Sequence, residues 1–375
     1  SAATATLGPV KDQLIVALDY NNQKYHSPAT GIPDGYEFDV VIPYTDANPT
    51  NGSYSAYEQI LPLQNDAGGT QDFKLYYPSG TLAGASGTIT AKLRNVSGSP
   101  FKAKTYGPDG QQYNLISGVS AYTITFNGNV SGTPFGVKAM GGIPDKKFGV
   151  QTNGRLEHQF IYVPVTGPDG RTWLNNNLGA EYARVGSPYF NPAYQAGSLD
   201  PNNTSTAVPL SNPTADQIKR DWRAYGSLFQ YARDSDGHEL LTWSSSGGVT
   251  PVNPSQWNSG WQATYSKSTD PCPAGYHTPS NEELLELQTA IVGSPTSYNT
   301  GTNSSALWNE RVLRLPAAGY RVGSSSFGNL GSNGFYWSSS PNGILAWFLE
   351  FNSGISNVYD SWRQSTGLAV RCLKD

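Results

Sequence analysis

Apolar and polar residues alternate with a period of two through the first 150 residues. One clear run places Phe38, Val40 and Ile42 on the same side of a predicted strand, and the turn sequence IPDG (32–35) precedes it. The same alternation recurs at Leu14/Val16/Leu18/Tyr20, Phe73/Leu75, Ile89/Ala91/Leu93 and Tyr122/Ile124/Phe126. Many short alternating runs separated by turns predict an antiparallel β-sandwich over residues 1–147.

The pattern changes over residues 148–375, where Asn-rich stretches without periodicity surround two predicted helices. Ser280 and Glu283 form a capping box before a helical apolar pattern, and Gly293 follows that pattern. A second helix is predicted over 214–226, with Ile218, Trp222 and Tyr225 on one face. The predicted fold is therefore mostly β with some α, in two domains.

The run ILAWFLEF (344–351) has the length of a strand, and its two faces differ. Trp347 and Phe351 share one face, which we expect to be core. The other face carries Glu350, and a carboxylate favours contact with solvent. Phe348 shares that face, so this pattern predicts that Phe348 is exposed.

The next stretch, ISNVYDSWRQSTG (355–367), has neither the helical nor the strand period. It mixes Tyr359 and Trp362 with Asp360 and Arg363. Tyr and Trp provide large, stiff contact areas at low entropic cost, and recognition loops use such mixtures. We predict a binding loop here. The alternative for any one of these aromatic residues is that it fills a gap in the core.

Composition narrows the class of protein. The net charge is −4 and charged residues make up only 14% of the chain, which disfavours a nucleic-acid surface. The 41 Gly, 26 Pro and 23 Tyr are typical of loop-rich β structure. No apolar run reaches the roughly 18 to 20 residues of a membrane span, so no transmembrane segment is predicted. The first residues do not resemble a signal peptide, and we expect an exported chain whose signal has been removed.

The sequence predicts no catalytic residue, no cofactor and no metal site. The chain contains no HExxH, CxxC or GxSxG motif. The acidic run RDSDGHE (233–239) matches a solvated turn better than a Ca²⁺ loop or a glycosidase carboxylate pair. Cys272 and Cys372 are the only cysteines. A disulfide in an exported protein is favoured for them over two free buried thiols.

Several motifs together resemble the Fibrobacter succinogenes-type major paralogous domain, which has a C-type-lectin-like fold. The resemblance covers about residues 155–375, more than half of the chain, and its motifs are DPCPAGYHTPSNEEL (270–284), RLPAAGYR (314–321), GSNGFYWSSS (331–340), LAVRCLKD (368–375), GPDGRTWLNNNLG (167–179) and YGSLFQYARD (225–234). It implies a C-type-lectin-like α+β ligand-binding domain at 148–375. The domain at 1–147 is similar, in strand pattern and order alone, to the pilin-type sandwich of Bacteroidales fimbriae.

Within that family, the C-terminal segment resembles the variable region of Bacteroidales proteins diversified by retroelements. In those proteins a constant framework holds a changeable binding face. The positions that correspond to changeable ones, and that the resemblance implies to be ligand-binding, are Phe335, Ile344, Leu345, Phe348, Glu350, Ile355, Asn357, Tyr359, Asp360 and Trp362.

The resemblance implies a bacterial cell-surface adhesin or receptor, a fimbrial tip subunit exported to the outer membrane or fimbrium. Its partners would be a protein or glycan ligand and other pilus subunits. Two alternatives stay open: an enzyme acting on polysaccharide, and a purely structural pilus subunit. The chain has WNE (308–310) but lacks the EPN or QPD triplet of Ca²⁺-dependent sugar-binding lectins, so Ca²⁺-dependent sugar binding is not expected.

Overall fold

The structure of the chain is a computed structural model. It describes residues 1–10, 13–15, 18–19, 24–26, 30–102, 116–122, 124–132, 135–140, 142–293 and 302–375. The described residues form two compact units, one within 1–142 and the other within 143–375. The predicted domain limits, 1–147 and 148–375, lie close to this division.

The first unit is built of strands. Their bounds are β1 (Thr4–Leu7), β2 (Gln13–Ile15), β3 (Leu18–Asp19), β4 (Lys24–Tyr25), β5 (Glu37–Asn48), β6 (Ser53–Tyr54), β7 (Tyr57–Gln64), β8 (Thr70–Tyr77), β9 (Gly80–Thr81), β10 (Gly87–Asn95), β11 (Ile116–Tyr122), β12 (Thr125–Phe126), β13 (Asn129–Val130) and β14 (Phe135–Met140). A five-stranded antiparallel sheet in the order β1-β5-β10-β8-β7 is its largest element. A three-stranded sheet, β11-β14-β2, includes one parallel pair, β14 with β2, which the antiparallel prediction did not anticipate.

The alternation in the sequence does mark the buried side of this sheet. Val40 and Ile42 on β5 are buried, as are Phe73 on β8 and Leu93 on β10. The side chains of an antiparallel strand point alternately to the two faces, so a period of two is what one buried face requires. Two of the predicted strand positions, Val16 and Tyr20, lie outside the described residues.

The second unit combines short strands, two α-helices and long loops. Its elements are β15 (Ile143–Pro144), β16 (Ile161–Tyr162), β17 (Pro164–Thr166), β18 (Thr172–Leu174), α1 (Ala215–Lys219), β19 (Leu241–Trp243), β20 (Val249–Pro251), β21 (Tyr276–His277), α2 (Asn281–Val292), β22 (Thr302–Asn303), β23 (Tyr320–Gly323), β24 (Ser326–Gly328), β25 (Gly334–Asn342), β26 (Leu345–Phe351), β27 (Ile355–Arg363) and β28 (Leu373–Lys374), with 3₁₀ turns at Glu181–Ala183, Trp222–Ala224 and Pro254–Gln256. The prediction of a mostly β chain with some α is confirmed. None of the helices described has the length and apolar character needed to cross a membrane.

The predicted start of α2 carries the hydrogen bonds that the sequence indicates. At α2 the Ser280 hydroxyl accepts from the backbone N–H of Glu283, and the Glu283 carboxylate accepts from that of Ser280. Gly293 ends the helix at a φ of 90°, where the absence of Cβ avoids strain. The predicted helix at 214–226 is instead α1 and a separate 3₁₀ turn. Asp221 caps the 3₁₀ turn, because its carboxylate accepts a hydrogen bond from the backbone N–H of Arg223. The turn is therefore a separate element from α1.

A four-stranded antiparallel sheet in the order β22-β27-β26-β25 organises the C-terminal part of this unit. Helix α2 packs across one of its faces, where Leu284 and Leu287 meet Leu349 and Phe351. The opposite face holds a second buried cluster that includes Phe348. The sheet is therefore covered on both faces over much of its area.

The predicted loop at 355–367 is wrong for most of its length, because Ile355–Arg363 forms strand β27. Phe348 pairs with Asp360 and Glu350 with Asn357, so two steps along β26 match three along β27. The extra residue is a β-bulge, and a bulge interrupts the alternation of apolar and polar side chains. The missing period in the sequence thus reflects an irregular strand.

The predicted disulfide between Cys272 and Cys372 is formed, and both cysteines are buried. It joins the chain before β21 to the chain before β28 across a sequence separation of 100 residues. A cross-link over such a loop removes unfolded-state entropy that chain statistics place at about 4 to 5 kcal/mol.

Buried Arg and Lys side chains hold the loops of this unit. The Arg371 guanidinium donates to the backbone carbonyls of Leu174 and Leu313, at 3.3 and 2.8 Å, and to the side-chain oxygen of Asn177 at 3.0 Å. Lys219 is equally buried, and its ammonium donates to the Leu315 carbonyl at 2.6 Å. Buried carbonyls need such partners wherever no sheet provides them.

We expect the double change Cys272→Ser and Cys372→Ser to lower the melting temperature by roughly 5 to 15 °C, because losing a native disulfide typically costs a few kcal/mol. Differential scanning calorimetry measures the shift. The same loss should follow when the unchanged protein is melted in a thiol reductant. An unchanged melting temperature in both experiments would contradict a structural role.

Arg371→Met should lower the melting temperature by about 10 °C, since it leaves two buried carbonyls and the Asn177 side chain without their donor. Arg363→Met is the matched control, because Arg363 is exposed at the end of β27. It should shift the melting temperature by no more than about 2 °C. Equal effects of the two changes would mean that the buried guanidinium does not hold the loops.

Candidate functional site

Three neighbouring strands bring five of the ten predicted ligand-binding residues to one face of the sheet. Phe335 on β25 pairs with Glu350 on β26. Phe348 on β26 pairs with Asp360 on β27, and Ala346 on β26 pairs with Trp362 on β27. Directly paired residues of antiparallel strands project from the same face, and residues two apart on β26 also share a face. The juxtaposition therefore follows from the strand register.

An aromatic cluster forms the floor of this face. The ring centroid of Trp362 lies 4.8 Å from that of Tyr320, 5.8 Å from that of Phe335 and 6.0 Å from that of Phe348. These edge-to-face and tilted contacts fall within the range that stabilises aromatic pairs. Tyr320 comes from β23, outside the sheet, so the floor also joins the β23–β24 hairpin to β25–β27.

Above the floor is an open cleft with a volume of about 380 Å³. Its lining consists of Tyr320, Asn329, Phe335, Phe348, Glu350, Asp360, Ser361 and Trp362. Tyr320, Asn329 and Ser361 are the lining residues that sequence reasoning missed. Tyr320 lies within the motif RLPAAGYR, which carries part of the resemblance but indicates no binding position, and no sequence pattern indicates Asn329 or Ser361.

Phe348 is 2% exposed and Phe335 is 4% exposed, so the expectation that Phe348 meets solvent is wrong. Loops outside the sheet, including the segment with Phe229, cover this face and enclose both rings in one apolar cluster. Glu350 lies beyond the covered area and is half-buried. A single carboxylate on a strand therefore does not show whether another side chain on the same face is exposed to solvent. Trp347, expected in the core, is half-buried.

The remaining predicted residues lie outside the cleft lining. Ile344 is 69% exposed in the turn between β25 and β26. Leu345 is half-buried at the start of β26, and Ile355, Asn357 and Tyr359 are half-buried along β27. The structure thus concentrates half of the predicted set at the cleft and distributes the rest over the same sheet.

Two carboxylates lie at the rim of the cleft. Burial raises the pKa of Glu350 above its usual value, and the negative charge of Asp360 raises it further. The side-chain amide of Asn333 donates to Glu350 at 3.4 Å and acts in the opposite direction. Asp360 is exposed, and its carboxylate accepts from the backbone N–H of Ser361 at 2.8 Å. The rim is therefore negative above an apolar floor.

The acidic run at 233–239 is not a simple solvated turn, because His238 and Glu239 are fully buried. The ligand atoms of Asp236, His238 and Glu239 lie within 4.8 Å of one another. However, Nδ1 of His238 lies 2.7 Å from the Asp236 carboxylate, and Nε2 accepts a hydrogen bond from the backbone N–H of Gln230 at 3.0 Å. Both ring nitrogens are thus engaged in hydrogen bonds within the protein, which fits a structural cluster better than a metal site.

Comparison with known proteins adds one partial match. A family model described as a domain of unknown function, DUF8237, matches residues 305–373. That segment contains β23 to β27 and all of the residues lining the cleft. No curated protein and no solved structure matches the chain.

The electrostatics of the cleft predict a measurable coupling between its carboxylates. Asp360→Asn should lower the pKa of Glu350, because it removes a neighbouring negative charge, whereas Asn333→Ala should raise it by removing a hydrogen bond to the charged form. Carboxyl chemical shifts of Glu350, followed by NMR as the pH changes, measure both effects. A pKa of Glu350 that both changes leave unmoved would contradict the coupling.

The same raised pKa has a consequence for stability. A carboxyl whose pKa is higher in the folded state contributes most stability below its unfolded pKa, and the contribution is lost as the pH rises through the folded pKa. Glu350→Gln should therefore raise the melting temperature more at pH 7 than at pH 4.

Proposed function

We propose that the chain is a non-enzymatic ligand-binding protein, an adhesin or receptor of a bacterial cell surface, and that the cleft on β25–β27 holds part of its ligand. The second unit carries the binding face in this proposal. The first unit is a β base that positions it, as expected of a fimbrial tip subunit. The ligand is a protein or a glycan.

The observation that carries the proposal is the cleft itself. Five residues selected in the sequence by resemblance to changeable positions come from three different strands and line one concave surface. Its aromatic floor and polar rim correspond to the anatomy of binding sites, in which apolar groups provide affinity and a few polar groups provide direction.

The buried disulfide supports export. Disulfides persist in oxidising compartments and are rare in cytosolic proteins. The Cys272–Cys372 bond anchors the segment that leads into β28, close in sequence to the end of β27, and so stabilises the framework around the binding face. Such a cross-link suits a domain exposed at a cell surface.

Trp362→Ala tests the proposal, because Trp362 is half-buried and its ring contacts Tyr320, Phe335 and Phe348 in the cleft floor. The unchanged protein is first tested against arrays of glycans and of surface proteins, and the affinity for each ligand found is then measured. We expect the variant to bind at least about 30-fold more weakly, as a central aromatic contact typically contributes 2 kcal/mol or more.

Trp261→Ala is the matched control. Trp261 is also half-buried, but it lies over Arg233 and does not line the cleft. It should leave the affinity unchanged, and both variants should retain a cooperative melting transition. Equal affinities of the Trp362 variant and the unchanged protein would overturn the proposal.

An enzyme acting on polysaccharide is the second candidate, and the pairing of Glu350 and Asp360 in one cleft is the observation that favours it. Glycoside hydrolysis uses two carboxyl groups with different ionisation, one of them with a raised pKa. Release of reducing sugar from a panel of polysaccharides, lost in Glu350→Gln, would establish this function. A purely structural pilus subunit would instead form polymers and bind no foreign ligand.

A further inference from the structure

No positively charged side chain among the described lining residues balances the negative charge of the cleft. The described residues that line it include the carboxylates of Glu350 and Asp360 and contain no Lys or Arg. The two charges repel each other, and the polar contact of Glu350 is with the neutral amide of Asn333. A cation entering the cleft would relieve this repulsion, whereas an anion would increase it.

The aromatic residues restrict what that cation can be. Phe335 and Phe348 are buried and form the apolar floor, so they offer little ring surface to any ligand. Trp362 and Tyr320 are half-buried, and they border the cleft beside the carboxylates. Partly open aromatic faces next to carboxylates suit a guanidinium, which stacks on Trp or Tyr and at the same time donates to carboxylate oxygens.

We propose that the cleft binds an arginine side chain of a protein partner. The inference rests on the proposed function and names the chemistry of its ligand. The aliphatic stem of the arginine lies along the apolar floor, and the guanidinium lies between Trp362 and the carboxylates of Glu350 and Asp360. A volume of about 380 Å³ accommodates one such side chain together with water.

The first experiment titrates the unchanged full chain with Nα-acetyl-arginine methylamide, followed by NMR. The citrulline counterpart is the matched probe, because it has nearly the same shape without the charge. We expect the arginine probe to bind at least about tenfold more tightly. Its affinity should fall about threefold or more between 50 and 500 mM salt, since partly exposed charges are screened.

Variants locate the binding. Glu350→Gln and Asp360→Asn should each weaken the arginine probe about threefold or more, since each removes one partner of the guanidinium. Glu58→Gln is the control, because the Glu58 side chain is 73% exposed and lies in the first unit. It should leave the affinity unchanged.

Three results would overturn the inference: equal binding of the citrulline probe, an arginine affinity that neither cleft variant changes, or tighter binding of glucosamine or methyl glucoside. The last would favour a glycan. Failure of this inference is distinguishable from failure of the proposed function. If Trp362→Ala abolishes array binding while the arginine probe shows no preference, only the inference fails. If the arginine probe binds at the carboxylates while Trp362→Ala retains every array ligand, the proposed function fails.

Discussion

Hydrogen bonding of buried loop carbonyls by buried Arg and Lys side chains is the constraint on which the second unit depends. Much of this unit is loop, and carbonyl groups removed from water need donors that a sheet would otherwise supply. Arg371 and Lys219 provide them in the core. Arg321 does the same nearer the cleft, where it donates to the carbonyls of Gly323, Ser324 and His238. Burial lowers the pKa of Arg321 and Arg371 only to about 10, so both stay charged at neutral pH, whereas it lowers the pKa of Lys219 to about 7. The Lys219 amine donates to the Leu315 carbonyl in either protonation state.

These cations connect the framework to the cleft. Arg321 follows Tyr320, and its hydrogen bonds hold the hairpin β23–β24 in place. This hairpin contributes Tyr320 to the floor of the cleft. Arg371 belongs to a network in which Asn177 donates to the hydroxyl of Tyr336, and that hydroxyl donates to the Pro316 carbonyl. The motifs that carry the family resemblance are therefore the parts of the chain that close the core. Glu350 and Asp360 at the rim take no part in this network, whereas Phe335 and Phe348 belong to the buried cluster and support the fold.

The cleft itself combines two environments that oppose each other. Its aromatic floor belongs to the core, while its rim concentrates negative charge in a place where burial already hinders ionisation of Glu350. A site with uncompensated charge is less stable than one with paired charge, and a ligand of opposite sign recovers that difference on binding. In the proposed function, the floor provides apolar contact area and the rim provides charge complementarity.

The sequence by itself determined what depends on neighbours along the chain. Alternation marked β5, β8 and β10, the Ser280 capping box and Gly293 defined α2, and the only two cysteines indicated the disulfide. Five of the eight residues that line the cleft are also among the positions that the resemblance indicates. Only tertiary structure decided the rest. The bulge in β27 interrupts the alternation by which a strand is predicted. Loops distant in sequence bury Phe348, and the β23–β24 hairpin and the residue that follows it bring Tyr320 and Asn329 to the cleft. Burial and juxtaposition are set by contacts between segments far apart in the chain, and local periodicity carries no information about them.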